Sequence, residues 1–174
     1  MEKLKQVISF ILQHSQSGRS RIDLSKLVYY IDSVFFQHYG KTITSERYVH
    51  LEDCPQPLRF HEALISLLSN KKAEIRISVQ LERMGGFLVF SLPSEPEKLD
   101  RDEVRICKKV LSVFPGPVRD ENLHYPNLYE NYVITPIFNE ILLNSKTINT
   151  KIHVLRKKSL LTLSGKLFRV LYEE

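Results

Sequence analysis

The chain has 174 residues, 43% of them apolar, with two cysteines and no tryptophan, which excludes a disulfide-stapled miniprotein and a low-complexity chain. No apolar run approaches the roughly 20 residues of a membrane-spanning helix, and a chain this long buries about two thirds of its unfolded surface as one domain. The formal charge of +5 is confined to the end: segment 145–174 holds Lys146, Lys151, Arg156, Lys157, Lys158, Lys166 and Arg169 against Glu173 and Glu174, while residues 1–144 balance at 18 basic and 18 acidic side chains.

Taken in order, residues 2–13 predict a helix. Lysines ahead of an apolar patch would suit a signal peptide, but Gln6 and the 3.6-residue rhythm of Leu4, Ile8, Ile11 and Leu12 favour an ordinary first helix. A polar loop over 15–20 follows. Asp23 then reads as the N-cap of an amphipathic helix whose stripe is Leu24, Leu27, Val28, Ile31 and Phe35, stopped by Gly40. Too many aromatics surround that helix for one face, so Tyr30 and Phe36 are expected to point away from the stripe. Residues 41–51 change period and read as a short hairpin. Pro55 and Pro57 predict a rigid connector, and 61–69 a short helix.

From 74 the period becomes two. Ile75, Ile77, Val79 and Leu81 alternate with polar residues, Gly85-Gly86 supplies a turn and 87–92 returns, which predicts a hairpin, packed on the helices and placed beside the strand at 48–51. Asp100 and Glu103 form a capping box, with Leu99 stapling Val104, for a helix ending at Pro115-Gly116-Pro117. A helix over 135–143, capped by Thr135 with Pro136 in its first turn, a strand at 152–155 and a last helix over 159–172 complete the reading. The fold class is therefore α+β: a mainly helical single domain over 1–174 with a small antiparallel sheet or hairpin, and a basic C-terminal segment 145–174.

The chemistry is sparse. Six histidines, His14, His38, His50, His61, His124 and His153, show no i, i+4 pair and no metal-ligand spacing. Cys54 between His50 and His61 lacks identifiable oxyanion donors and an orienting third group. The cysteine count has neither the number nor the spacing of a zinc site and suits the reducing cytoplasm. No cofactor, metal or enzymatic activity is expected. Asp32 reads as a cap or a buried acceptor near the following turn.

One ordered set of residues does carry a resemblance: Lys26, Leu27, Tyr29, Asp32, Tyr39, Gly40, Ile43, Thr44, Tyr48, Pro55 and Pro57. It resembles the Panacea domain of SocA-like antitoxins, whose members show a Lys-Leu-x-Tyr-x-x-Asp helix, a Tyr-Gly, an Ile-Thr-Gly, a Tyr and a Gly-Pro-x-Pro segment. Ser45 and Cys54 stand where the family has glycine, which makes this a divergent member. The resemblance implies a non-enzymatic, cytoplasmic protein of a toxin–antitoxin system. Such a protein neutralises a cognate toxin by direct protein–protein binding or by delivering it to a protease. Lys26, Tyr30, Asp32, Phe36, Pro55 and Pro57 are the expected partner-binding residues. The alternative is a nucleic-acid-binding protein that uses Arg156, Lys157, Lys158, Lys166 and Arg169; no membrane partner is expected.

Overall fold

The computed structural model of the protein describes residues 1–77, 87–93, 98–118 and 131–143, all within the compact unit Met1–Leu143. Among the described residues the helices α1 (Glu2–Gln13), α2 (Arg21–Tyr39), α3 (Phe60–Ser69) and α4 (Arg101–Val113) accompany six strands. The strands β1 (Arg19–Ser20), β5 (Phe87–Ser91) and β4 (Ala73–Ile77) form one antiparallel sheet in that order. The other runs β3 (Pro55–Pro57), β2 (Tyr48–His50), β6 (Glu140–Ile141). The fold is α+β, as the change of period along the chain predicts. The Gly85-Gly86 turn, the strand at 152–155, the helix over 159–172 and the basic segment 145–174 lie outside the described residues.

The chain is built around α2. It packs on α1, α4, β1, β3 and β5, and every residue from Asp23 to Phe35 is buried. Neighbours on all sides therefore replace the single stripe that the sequence suggests, and Tyr30, expected to face outward, stacks on Phe114 with centroids 5.4 Å apart. Leu4, Ile8 and Ile11 of α1 meet Leu24, Leu27 and Ile31 of α2 in one cluster of fully buried side chains. Each such Leu or Ile contributes about 1.5–3 kcal/mol.

Both ends of α2 are closed. Its N-cap is Ser20, three residues ahead of the expected Asp23: the Asp23 amide donates to Ser20 Oγ at 3.0 Å, and Asp23 completes the capping box at N3. Asp23 Oδ1 also accepts the Val118 amide at 2.7 Å, which ties the start of α2 to the chain beyond α4. At the other end Gly40 adopts φ +67, the left-handed cap its identity predicts. Gly18, at φ +71, is required for space as well, because a Cβ there would lie 2.8 Å from the Phe90 ring.

The loop over 15–20 ends as strand β1, which pairs with β5 through Arg19↔Val89 and Ser20↔Leu88. The β4–β5 ladder runs from Ala73↔Ser91 to Ile77↔Phe87, but it joins β1 rather than the strand at 48–50. On its core-facing side Ala73 and Val89 are buried, whereas Ile75, opposite Val89, is 46% exposed.

In the second sheet the expected hairpin over 41–51 does not form. β2 instead pairs with β3, making the proline connector an edge strand. The bonds Leu58 N to Arg47 O (2.9 Å) and Leu51 N to Cys54 O (3.2 Å) flank this ladder. Pro55 and Pro57 thus fall at its non-hydrogen-bonded positions, where a missing N–H costs nothing.

The helix expected over 135–143 is also absent. Residues 131–134 are helical and stop at Thr135, whose Oγ1 donates to Asn131 O at 2.6 Å. Pro136 then follows, and β2 takes the chain beyond it: His50 and residues 138–139 exchange backbone bonds of 2.7 and 3.0 Å before β6 pairs with Tyr48 and Val49. Ladder bonds from β2 replace the intrahelical bonds that a helix after Pro136 would have made.

Candidate functional site

The residues that carry the sequence resemblance converge around one buried carboxyl group. Asp32 lies near the middle of α2, wholly inaccessible to solvent. Its Oδ1 accepts the amides of Ile43 (2.8 Å) and Thr44 (3.1 Å). Its Oδ2 accepts the hydroxyls of Tyr48, at 2.6 Å, and of Thr44. This is why residues 41–51 make no hairpin, since Asp32 takes the amides that a ladder would have used. Burial pushes the Asp32 pKa above its ordinary value against the pull of these donors, and the Tyr48 hydroxyl, buried beside it, is pushed well above its own. The expected buried acceptor near the turn is what the structure shows.

Around this centre the aromatics are ordered. Tyr48 meets Tyr29 edge-on at 5.2 Å and 74°, and Tyr29 lies 5.9 Å from Tyr30. One turn earlier on α2, Ser25 Oγ donates to Pro55 O at 2.7 Å, so the same helix face holds β3. Arg21 reaches over β3 to Gln56 Oε1 at 3.3 Å and to His61 Nε2 at 3.1 Å.

The two positions at which the resemblance would have glycine differ in consequence. Ser45 adopts φ +55, a left-handed conformation that glycine enters without strain. Cys54 is not among the residues at positive φ, so a side chain there is free of that penalty.

Of the six expected partner-binding residues, Lys26, Tyr30, Asp32, Pro55 and Pro57 are buried and Phe36 is half-buried. All belong to α2 or β3. The large apolar side chains exposed on this segment are instead Tyr39 at the end of α2 and Leu58, 48% exposed, just after β3. Sequence reading missed Ser20, whose spacing to Asp23 is a recognisable capping signal, and Ser25 and Arg19, for which no local signal exists. Arg19 is buried, and its guanidinium donates to Ser15 Oγ (2.9 Å), Phe114 O (2.8 Å), Pro115 O (3.4 Å) and Gly116 O.

The two thiols are buried, and two of the histidines are engaged with backbone carbonyls. Burial raises the pKa of Cys54 and pushes the Cys107 thiol up to about 12, with Asp32 and Glu103 adding to the latter. Both thiols are therefore poor nucleophiles at neutral pH. His14 Nδ1 is 2.9 Å from Phe10 O, and His50 Nδ1 is hydrogen-bonded with Thr135 O. Among the described residues no three His, Cys, Asp or Glu side chains are grouped to hold a metal, and no helix is long and apolar enough to cross a membrane. His124, His153 and the five basic residues of the nucleic-acid alternative, Arg156 to Arg169, lie outside the described residues. Comparison with family models, with curated proteins and with solved structures finds no match for this chain.

Proposed function

We propose that this chain is a non-enzymatic, antitoxin-like protein-binding domain that neutralises a partner toxin by direct binding or by delivering it to a protease. The observation that carries the reading is the bonded unit of α2, the turn at 43–44, β2 and β3. The ordered residues of the resemblance are cross-linked there through Asp32, and Ser25 adds Pro55. A set of residues bonded into one rigid piece is what a shape-dependent docking surface requires. In this reading Lys26, Tyr30, Asp32, Pro55 and Pro57 hold the surface in shape from within. Direct contact then falls to Phe36, Tyr39 and Leu58.

The test is co-expression with the product of the adjacent open reading frame, scored by growth and then by co-purification. Rescue of growth with a one-to-one complex is expected, and Leu58→Asp is expected to abolish both while leaving the fold intact. A harmless neighbour that does not co-purify would sink the reading. The second reading, nucleic-acid binding through segment 145–174, is favoured by one observation, the confinement of the whole positive excess to those residues. It requires binding that falls steeply with salt and weakens on replacing Lys157 and Lys158.

A further inference from the structure

The outer face of α4 is a cationic ridge. At 3.6 residues per turn, Arg101, Arg105, Lys108 and Lys109 share about a third of the helix circumference and span about 12 Å of its length. All four are exposed. The opposite side is fixed inward by Ile106, Cys107, Val110 and Leu111, and a complete capping box at Asp100 and Glu103 holds the first turn. The ridge therefore has one rigid orientation. At its middle, Arg105 is held between Asp102, 3.1 Å away, and the Tyr39 hydroxyl at the end of α2. Lys41, exposed one residue beyond Gly40, follows Tyr39. Among the described residues no carboxylate pairs with Arg101, Lys108 or Lys109.

We propose that this ridge is a docking surface for an acidic segment of a partner protein. Three features favour protein over nucleic acid. Residues 1–143 carry 18 charges of each sign, so within this unit the ridge is a local patch on an otherwise balanced surface, which suits a short acidic segment better than a long polyanion. Asp102 lies at the border of the same arc and would repel a phosphate backbone, whereas a protein partner can place its carboxylates around it. Arg105 is oriented beside a partly exposed tyrosine, 36% accessible, and a positioned arginine next to an aromatic ring is the composition of protein-interface hot spots. The inference extends the protein-binding reading by naming a surface and the chemistry of its partner, and it rests on that reading only for the partner's being a protein.

The experiment measures binding of the full chain to fluorescent poly-L-glutamate at low salt, with a duplex DNA oligomer as the comparison polyanion. Variants are K108E/K109E, the neutral K108Q/K109Q and the pair K157E/K158E of the basic C-terminal segment. The expected result is about tenfold weaker poly-glutamate binding for K108E/K109E, about threefold for K108Q/K109Q and under twofold for K157E/K158E. Thermal midpoints are expected to stay unchanged; should the reversal unfold the chain, the neutral pair decides. Undiminished binding by the α4 variants, or loss confined to K157E/K158E, would overturn the proposal. So would duplex DNA binding more tightly than poly-glutamate through the same two lysines. Failure of the neighbouring gene product to co-purify, with α4-dependent poly-glutamate binding intact, counts against the toxin reading alone.

Discussion

Asp32 places a carboxyl group where solvent does not reach and surrounds it with the donors of Ile43, Thr44 and Tyr48. Replacing it by alanine strands two amides and a phenol in the interior, and a loss of about 3–5 kcal/mol in urea unfolding is expected. Asp32→Asn keeps an acceptor for the amides and is expected to cost less. The pH dependence separates the two charge states. Because burial raises the folded pKa above the ordinary 3.8, the folded chain retains the proton to higher pH than the unfolded chain. Stability relative to Asp32→Asn is therefore expected to be greatest at pH 3, to decline as pH rises through the folded pKa and to stay flat above it. A difference that grows with pH would contradict this account. Ser45 makes the opposite kind of prediction: at φ +55, Ser45→Gly relieves left-handed strain and is expected to raise stability by about 0.5–1 kcal/mol, read as a higher thermal midpoint.

Between elements, the connections that matter are made by side chains at helix ends. Arg19 sits at the junction of α1 and α2, and its fork collects carbonyls from the three residues after α4. Lysine keeps the charge but has neither the planar fork nor the reach to bond several carbonyls at once. Arg19→Lys is expected to cost about 2–4 kcal/mol and to speed hydrogen exchange of the last turn of α4. Helix boundaries were legible where the signals were local: the box at Asp100 and Glu103 and the glycine at 40 appear as read. The start of α2 was displaced to Ser20 because serine, whose short hydroxyl reaches the N3 amide, competes with aspartate for the same role, and Asp23 serves both as its partner and as the acceptor for Val118.

In the Met1–Leu143 unit as a whole, stability is concentrated in α2. Leu27→Ala removes a fully buried side chain from the helix that every neighbour packs against, and a loss of about 2–5 kcal/mol is expected. Ile65→Ala, at a site 61% exposed, is expected to change the urea midpoint little. Equal losses for the two would refute the central place of α2. The candidate site shares this dependence, since the residues of the resemblance are mostly interior, and altering them tests the scaffold before it tests contact with a partner.

Local chemistry determined much of what the chain shows. Hydrophobic period and caps specified α1 to within its ends, the close of α2 and α4, because each depends on bonds made within a few residues, and the change to period two marked β4 and β5 as partners. They also left Asp32 as a cap or a buried acceptor near the following turn, and the structure shows the second. Tertiary structure alone decided which strands share a sheet, why the segment after Pro136 extends along β2, and that Tyr30 turns inward. Those outcomes depend on partners distant in sequence: the Asp32 carboxyl withdraws the amides of 43–44 from pairing, β2 offers the ladder that 138–141 completes, and Phe114 supplies the surface for Tyr30. A residue's own neighbours along the chain contain no record of such competition.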